Sequence, residues 1–343
     1  MTFPSRHFHI VRTGCWYWLA LLLCLSFTTR AEVLTAAGVQ QQALTVSHRA
    51  HPVQLLLWYP THSRGAAQRT GGNGLFQGTV AQHNAAPVEG RLPLVLMSYG
   101  GLRSAPFQGH WLAQQLAQHG YLVMQIQPPA AESLLPEQAT DEPWRRAADI
   151  SVAYQWLQRS EWQPRIDPAR QNLLGAFLGA TAMLQQTGIR LDPARYRHSC
   201  DGNDSTDCRW YTAHQVSLPQ AALPASTWEM ESTAVHWQRI VVINPELLNS
   251  MTPADLTALP ATLTHIALGQ DSIKEQSTLP GQTLSLPAAS PFSALALCTA
   301  NAAAILREEG EEEALCQDGE ASSRQAVHQQ LLQWVLAALE PVH

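Results

Sequence analysis

The feature that most constrains this chain is a recurring short run of apolar residues. Leu94-Val95-Leu96-Met97 is uninterrupted, as a strand buried on both faces must be. Residues 121–126, Asn172-Leu173-Leu174, residues 240–243 and residues 263–268 read as further strands, with residues 283–286 as a last one. Helical patterns lie between them. Trp111, Leu112 and Leu116 form an apolar stripe closed by Gly120. Pro143 precedes a helix over 144–158, with Ile150, Ala153, Tyr154 and Leu157 on one side. A helix follows Gly175 and runs to Gly188, and a closing helix over 323–339 repeats Val327, Leu331, Val335 and Leu339 at four-residue spacing. Strand and helix in alternation predict an α/β fold with a mainly parallel, doubly wound sheet covered on both faces. Residues 32–60 read as an antiparallel entry whose strand over 53–58 stops at Pro60, and 61–90 as a loop or weak hairpin. Residues 189–238 break the alternation and predict an inserted cap over the end of the sheet, in which Trp210, Trp228 and Trp237 are candidate pocket residues.

With 45% apolar and 14% charged residues, the 343-residue chain can bury a sizeable core. Residues 32–343 are expected to form one domain. A net charge of −6 excludes a general nucleic-acid binder, and a single lysine, Lys274, excludes a polybasic membrane surface. No run reaches the ~18 apolar residues of a membrane span. Arg6 and Arg12, an apolar stretch from Trp16 to Phe27, and Thr29-Arg30-Ala31 have the form of a secretory signal peptide over 1–31. Its removal takes Cys15 and Cys24 and leaves Cys200, Cys208, Cys298 and Cys316. An even count in an exported chain predicts disulfides, and proximity pairs Cys200 with Cys208 and Cys298 with Cys316. The signal predicts a periplasmic or secreted protein with no stable membrane span after cleavage. No metal site or cofactor is implied. His48 and His51 lack zinc-ligand spacing to any Cys pair, and the acidic run from Glu308 to Glu313 reads as a solvated face.

Several segments resemble the α/β-hydrolase superfamily, and more closely the bacterial predicted dienelactone hydrolases and platelet-activating-factor acetylhydrolases. Leu57-Trp58-Tyr59-Pro60 is similar to the entry strand, PLVLMSYGG over 93–101 to the oxyanion strand, and LAQHGYLV over 116–123 to the helix-to-strand step after it. Arg146-Ala147-Ala148-Asp149-Ile150, Ile166-Asp167-Pro168-Ala169-Arg170, Gly269-Gln270-Asp271, and Phe292 with Cys298 and Cys316 follow in the family's order. The resemblance implies an α/β-hydrolase fold and a serine on a sharp strand-to-helix turn, written G-x-S-x-G.

Here that turn reads Gly175-Ala176-Phe177-Leu178-Gly179, and a benzyl group cannot attack a carbonyl. Pro291 fills the histidine position, and no histidine lies between His265 and His328. Tyr99-Gly100 replaces the oxyanion strand's His-Gly, so Tyr99 is expected to crowd a turn built from Tyr99, Gly100 and Leu178. Asp271 alone keeps its place, as the acid, and an acid without its histidine orients nothing. The chain therefore reads as a homologue without ester-hydrolase chemistry that binds an unknown small molecule or protein. The alternatives are an active carboxylic-ester hydrolase with a displaced nucleophile, for which Ser98 and Thr181 are the candidates, and a structural protein with no ligand. His110 and His119 are expected to face solvent or cap a helix.

Overall fold

The computed structural model describes Met1 and residues 36–130, 139–203, 205–218, 235–260, 262–310, 313–319 and 323–340. The expected signal peptide and Trp228 lie outside the described residues.

The chain enters through an antiparallel pair, β1 (Ala36–Leu44) and β2 (Val53–Thr61), followed by a short hairpin of β3 (Gln68–Thr70) and β4 (Thr79–His83). The alternating part runs through β5 (Leu92–Tyr99), α1 (His110–Gln118), β6 (Leu122–Ile126), α2 (Glu142–Leu157), β7 (Ile166–Ala176) and α3 (Leu178–Gln185). Two short helices, α4 (Pro193–Tyr196) and α5 (Thr206–Ala213), interrupt it before β8 (Arg239–Ile243). Then come α6 (Pro253–Ala258), β9 (Leu263–Leu268), α7 (Gln270–Glu275), β10 (Gln282–Leu286), α8 (Ala302–Glu309) and α9 (Arg324–Leu339).

The strands form a ten-stranded sheet in the order β10-β9-β8-β7-β5-β6-β2-β1-β4-β3. From β6 to β10 every neighbouring pair is parallel. The chain leaves β5 toward β6 on one side and returns to β7 on the other, so a topological switch lies between β5 and β7. Open α/β sheets hold ligands outside the carboxyl ends of strands at such a point.

Continuous apolar runs are required because both faces are covered. One face packs Leu94, Leu96, Leu173 and Val242 under Ala147, Ile150, Ala153 and Leu157 of α2 and Ala180 to Leu184 of α3. The other packs Val95, Met97, Leu174 and Val241 under Leu112 and Leu116 of α1 and Val327, Leu331 and Val335 of α9.

Two expectations change. Pro60 does not end β2, which continues to Thr61. β6 pairs with β2 only from Leu55 to Trp58, so the missing N–H of Pro60 lies beyond that ladder and removes no bond from it. Residues 61–90 are a true hairpin, tied to the sheet by the parallel pairing of Gly38 and Val39 with Gln82 and His83.

Candidate functional site

The turn after β7 carries Phe177, with φ 56° and ψ −131° as the N-cap of α3. Left-handed backbone is unusual for a bulky side chain. The flanking glycines explain how it is held. A Cβ on Gly175 would stand 2.5 Å from Ala180 Cα, and one on Gly179 would collide with the Ser98 carbonyl. The strand and helix thus approach too closely for any side chain at either position. The Phe177 N–H donates to Ile243 O of β8 at 2.9 Å, which fixes the turn against the sheet. Phe177 is 3% exposed and belongs to the apolar cluster that includes Ile243, Leu268, Ala289 and Phe292.

The neighbouring turn after β5 has its polar groups engaged from within the chain. Gly100 adopts φ 101° and donates to Ala176 O at 3.1 Å. The Gly101 N–H donates to Ser104 Oγ at 2.8 Å, and the Leu102 N–H to Asp207 Oδ1 of α5 at 2.8 Å. Arg146 of α2 donates to Gly100 O at 2.7 Å and Gly101 O at 3.0 Å. Tyr99 does not crowd this turn with its hydroxyl, which donates to Ala294 O at 2.6 Å, where Trp111 Nε1 also donates. Burial pushes the Tyr99 phenol well above its ordinary range. Leu178 is buried at the start of α3, beside Leu102, Tyr196 and Tyr211.

Asp271 lies in the first turn of α7 and is exposed. Gly269, two residues earlier, has φ 87°, and a Cβ there would stand 3.3 Å from Pro291 Cδ. The turn that leads from β9 into α7 at Gly269 therefore packs closely on the Pro291 ring. Pro291 opens a 3-10 turn through Ala294 that Ser290 caps, its Oγ accepting the Phe292 N–H at 3.2 Å.

Ser98 is buried in β5, and Thr181 Oγ1 donates to the backbone carbonyl of Glu246. No hydrogen bond among the described residues joins a histidine to Ser98 or Thr181. His110 corrects the expectation of a solvent-facing ring. It is 2% exposed, with Nδ1 toward Thr70 O at 3.5 Å and Nε2 accepting from Gln127 at 3.1 Å. Burial pulls it down to about 4, so it is neutral. His119 caps α1, its Nδ1 donating to Gln115 O at 2.7 Å.

The loop at His48 and Arg49 is an ion-pair anchor. His48 Nε2 lies 2.7 Å from Asp149 Oδ1, while Arg49 bridges Asp149 and Glu142 of α2. Glu142 in turn accepts from Arg146 at 3.3 Å, which carries the anchor through to the turn at Gly100. Among the described residues no group of three or more His, Cys, Asp or Glu could hold a metal ion. Of the expected pocket tryptophans, Trp237 is core instead. It packs edge-on against Tyr154 at 5.2 Å and donates to Gln186 O. Trp210, within α5, packs in the same small apolar cluster as Tyr211 and Leu102.

Both cysteine pairs are bonded, Cys200–Cys208 at 2.01 Å and Cys298–Cys316 at 1.99 Å. No helix among the described residues is long and apolar enough to cross a membrane.

Sequence reasoning missed Asp207 and Glu246 and misjudged His110. All are buried through contacts between elements far apart in the chain, which no local pattern records.

No protein-family model and no curated protein matches this chain. Solved structures do. A ferulic acid esterase from Streptomyces cinnamoneus aligns over 91% of this chain and 90% of its own, with TM-score 0.54 and 15% identity. Carboxyl esterase 2 from Tuber melanosporum aligns over the same shares at TM-score 0.43 and 11% identity. The fold is the α/β-hydrolase fold.

Proposed function

We propose that this chain is an exported α/β-hydrolase homologue that has lost ester-hydrolase chemistry and acts by binding or by structure. Residues 1–31 serve as its signal peptide, residues 32–343 form one domain with an insertion at about 189–238, and the mature protein resides in the periplasm or outside the cell. The two disulfides accord with an oxidising compartment.

One observation carries the reading: the side chain on the nucleophile turn is Phe177, 3% exposed, with its ring in an apolar cluster. The rest of the machinery fails in the same direction. Pro291 stands by Gly269 where a base is needed, and the Gly101 and Leu102 N–H groups already have acceptors. An oxyanion hole needs donors free for the developing charge. Asp271 keeps the acid position without a partner to orient. The filled turn favours a protein partner or a structural role over a small ester- or lipid-like ligand seated at residue 177.

The test is covalent labelling of the mature protein with a fluorophosphonate, read by intact mass, beside hydrolysis of a ferulate ester. The expected result is an unchanged mass and no turnover above buffer. Stoichiometric labelling abolished by one Ser→Ala change overturns the reading and establishes a displaced nucleophile.

A further inference from the structure

The face of the sheet covered by α1 and α9 carries a groove of about 420 Å³, between those two helices and the start of β4. That volume lies within the range of small-molecule sites. None of Tyr99, Gly100, Phe177, Leu178, Asp271 and Pro291 lines it. Helical spacing gathers the lining. Trp111, Gln114 and Gln115 stand at i, i+3 and i+4 of α1, and Gln325, Gln329 and Leu332 at i, i+4 and i+7 of α9, so each set shares one helix face. Gln77 and Val80 join from the hairpin. Val80 is 44% exposed, an uncommon place for a large apolar side chain in this molecule.

The aromatic part of the groove is held in one orientation. Trp111 is half-buried, and its indole stacks on the His328 ring at 3.7 Å with the planes 1° apart. Its Nε1 donates to Ala294 O at 3.1 Å, so one face and one edge of the ring are both fixed. Three of the amides are also held. Gln77 Nε2 donates to Cys298 O at 2.9 Å, Gln114 Nε2 to Val80 O at 3.2 Å, and Gln115 Nε2 to Gln114 Oε1 at 3.0 Å. Each of these bonds uses one of an amide's two N–H donors, and the bonds of Gln77 and Gln115 leave their carbonyl oxygens as acceptors. Gln325 and Gln329 extend the array from α9, both exposed.

Charge is what the groove lacks. Asp, Glu, Lys and Arg are absent from its lining. Arg324, next to Gln325, is buried and engaged by Asp318, Ala296 O and Leu315 O. Arg69 comes only to one end, where it donates to Gly78 O at 2.8 Å. Burial pulls His328 down to about 4, so its ring is neutral near pH 7. An ionic ligand therefore meets no counter-charge. A sugar ring is served better, because it has a C–H face that packs on an aromatic plane and a rim of hydroxyls. A hydroxyl both donates and accepts, and a neutral amide answers both, whereas a carboxylate only accepts and a guanidinium only donates. An extended peptide is served worse. β4 lies between β1 and β3 in the sheet, and the Val80 carbonyl is already taken by Gln114, so no free strand edge is offered.

We propose that the groove between α1, α9 and β4 is a binding site for an uncharged oligosaccharide. The C–H face of one sugar ring lies on the exposed part of Trp111, beside Val80, and its hydroxyls exchange hydrogen bonds with Gln77, Gln115 and Gln329. This assignment goes beyond the reading of the turn at Phe177 and holds whether or not that turn reacts.

The test is titration calorimetry of the purified protein with cellotriose, maltotriose and tri-N-acetylchitotriose, beside trigalacturonate as a charged comparison. At least one of the neutral trisaccharides is expected to bind with a Kd below about 10 mM. Trp111→Leu should weaken that binding about tenfold, through loss of the aromatic plane. Gln115→Ala and Gln329→Ala should each weaken it about threefold. Gln333→Ala, exposed on α9 and outside the lining, should leave it unchanged. Circular dichroism checks each fold. If Trp111→Leu does not fold, Gln115→Ala combined with Gln329→Ala makes the comparison, with a loss of about tenfold expected. No saturable binding by any neutral trisaccharide up to about 10 mM overturns the proposal. So does binding that survives the tryptophan and glutamine changes, which places the sugar elsewhere, and so does trigalacturonate binding as tightly as the neutral sugars. None of these readouts depends on ester hydrolysis, so failure here is distinct from failure of the reading at Phe177.

Discussion

The turn after β7 and the loop after β10 follow the carboxyl ends of two parallel strands with β8 and β9 between them, yet different things hold their shapes. At the β7 turn the constraint is backbone against backbone. Gly175 faces Ala180 Cα and Gly179 faces the Ser98 carbonyl, and neither neighbour can yield without breaking the sheet or α3. In the later loop, side chains share the task with backbone contacts such as the Ser290 N–H on Asp318 O. Pro291 packs on Gly269, Ser290 caps the 3-10 turn, and Arg324 donates to Asp318, Ala296 O and Leu315 O around the Cys298–Cys316 bridge. The difference teaches that the turn after β7 is fixed by the close approach of strand and helix whatever side chain stands at its tip, whereas more of the later loop's shape depends on its side chains.

If that contrast is right, adding one methyl group should separate the two regions. Gly179→Ala forces a Cβ into the Ser98 carbonyl, where no flexible side chain can give way. Loss of about 3 kcal/mol, at the upper end for overpacking, or failure to fold, is expected in urea denaturation. A loss under ~1 kcal/mol would mean that strand and helix can separate, and would break the comparison.

The far side of the loop after β10 should respond to acid. His328 Nε2 donates to Leu295 O at 2.8 Å, and its ring stacks on Trp111 at 3.7 Å. Burial pulls it down to about 4, with Arg324 adding repulsion to its charged form. The folded state therefore binds fewer protons than the unfolded chain below the ordinary histidine range. Stability contributed by the neutral ring is present above about pH 6.5 and is lost as pH falls toward 4, by roughly 2 kcal/mol. His328→Gln should flatten that part of the stability-against-pH curve relative to wild type. His110, likewise held down near 4, serves as the control, since it lies by Thr70 and Gln127 and should keep its own share.

Much of the fold was legible in the sequence, and the reason is local. Leu94 to Met97 and residues 240–243 lie in strands covered on both faces, where every position must be apolar. The four-residue spacing of Val327, Leu331, Val335 and Leu339 faces one side of α9 directly onto the sheet, and all four are buried. The sharp strand-to-helix turn at Phe177 was legible because the glycines on either side of it mark a close approach of strand and helix. Asp207 and Glu246 were not legible. The contacts that place them, Leu102 for Asp207 and Phe177 and Thr181 for the Glu246 backbone, lie in distant segments, and nothing local distinguishes a carboxylate that will be buried from one that will be solvated. His110 was misjudged for the same reason, since its partners Thr70 and Gln127 belong to other elements.

A smaller effect is expected from Gly269→Ala, the counterpart of Gly179→Ala in the loop region. Its φ of 87° strains any Cβ, but the nearest atom is Pro291 Cδ at 3.3 Å, a side-chain atom that can shift. A loss of about 1–2 kcal/mol in the same denaturation assay is expected, mostly from backbone strain. If Gly269→Ala costs as much as Gly179→Ala, the loop is as rigidly defined as the turn, and the contrast fails.

The smallest effect, none at all, is expected from restoring a hydroxyl. Phe177→Ser places a serine on a turn whose backbone already has the left-handed conformation of φ 56°, so geometry is not what it lacks. It lacks a base, and a hydroxyl near its unperturbed acidity is a poor nucleophile at neutral pH. The variant should therefore remain unlabelled by a fluorophosphonate over hours. Adding Pro291→His supplies an imidazole beside Gly269, close along the chain to Asp271. At most slow labelling is expected even then. Proline fixes the local φ that the 3-10 turn uses, so a histidine there relaxes the backbone rather than inheriting a poised rotamer. Asp271 is also exposed, and a carboxylate solvated by water orients an imidazole less firmly than a buried one. The Leu102 N–H stays occupied by Asp207, which leaves the developing charge short of a donor. Rapid stoichiometric labelling of Phe177→Ser alone would show that a base already faces the turn, and that the loop after β10 has preserved more than its shape.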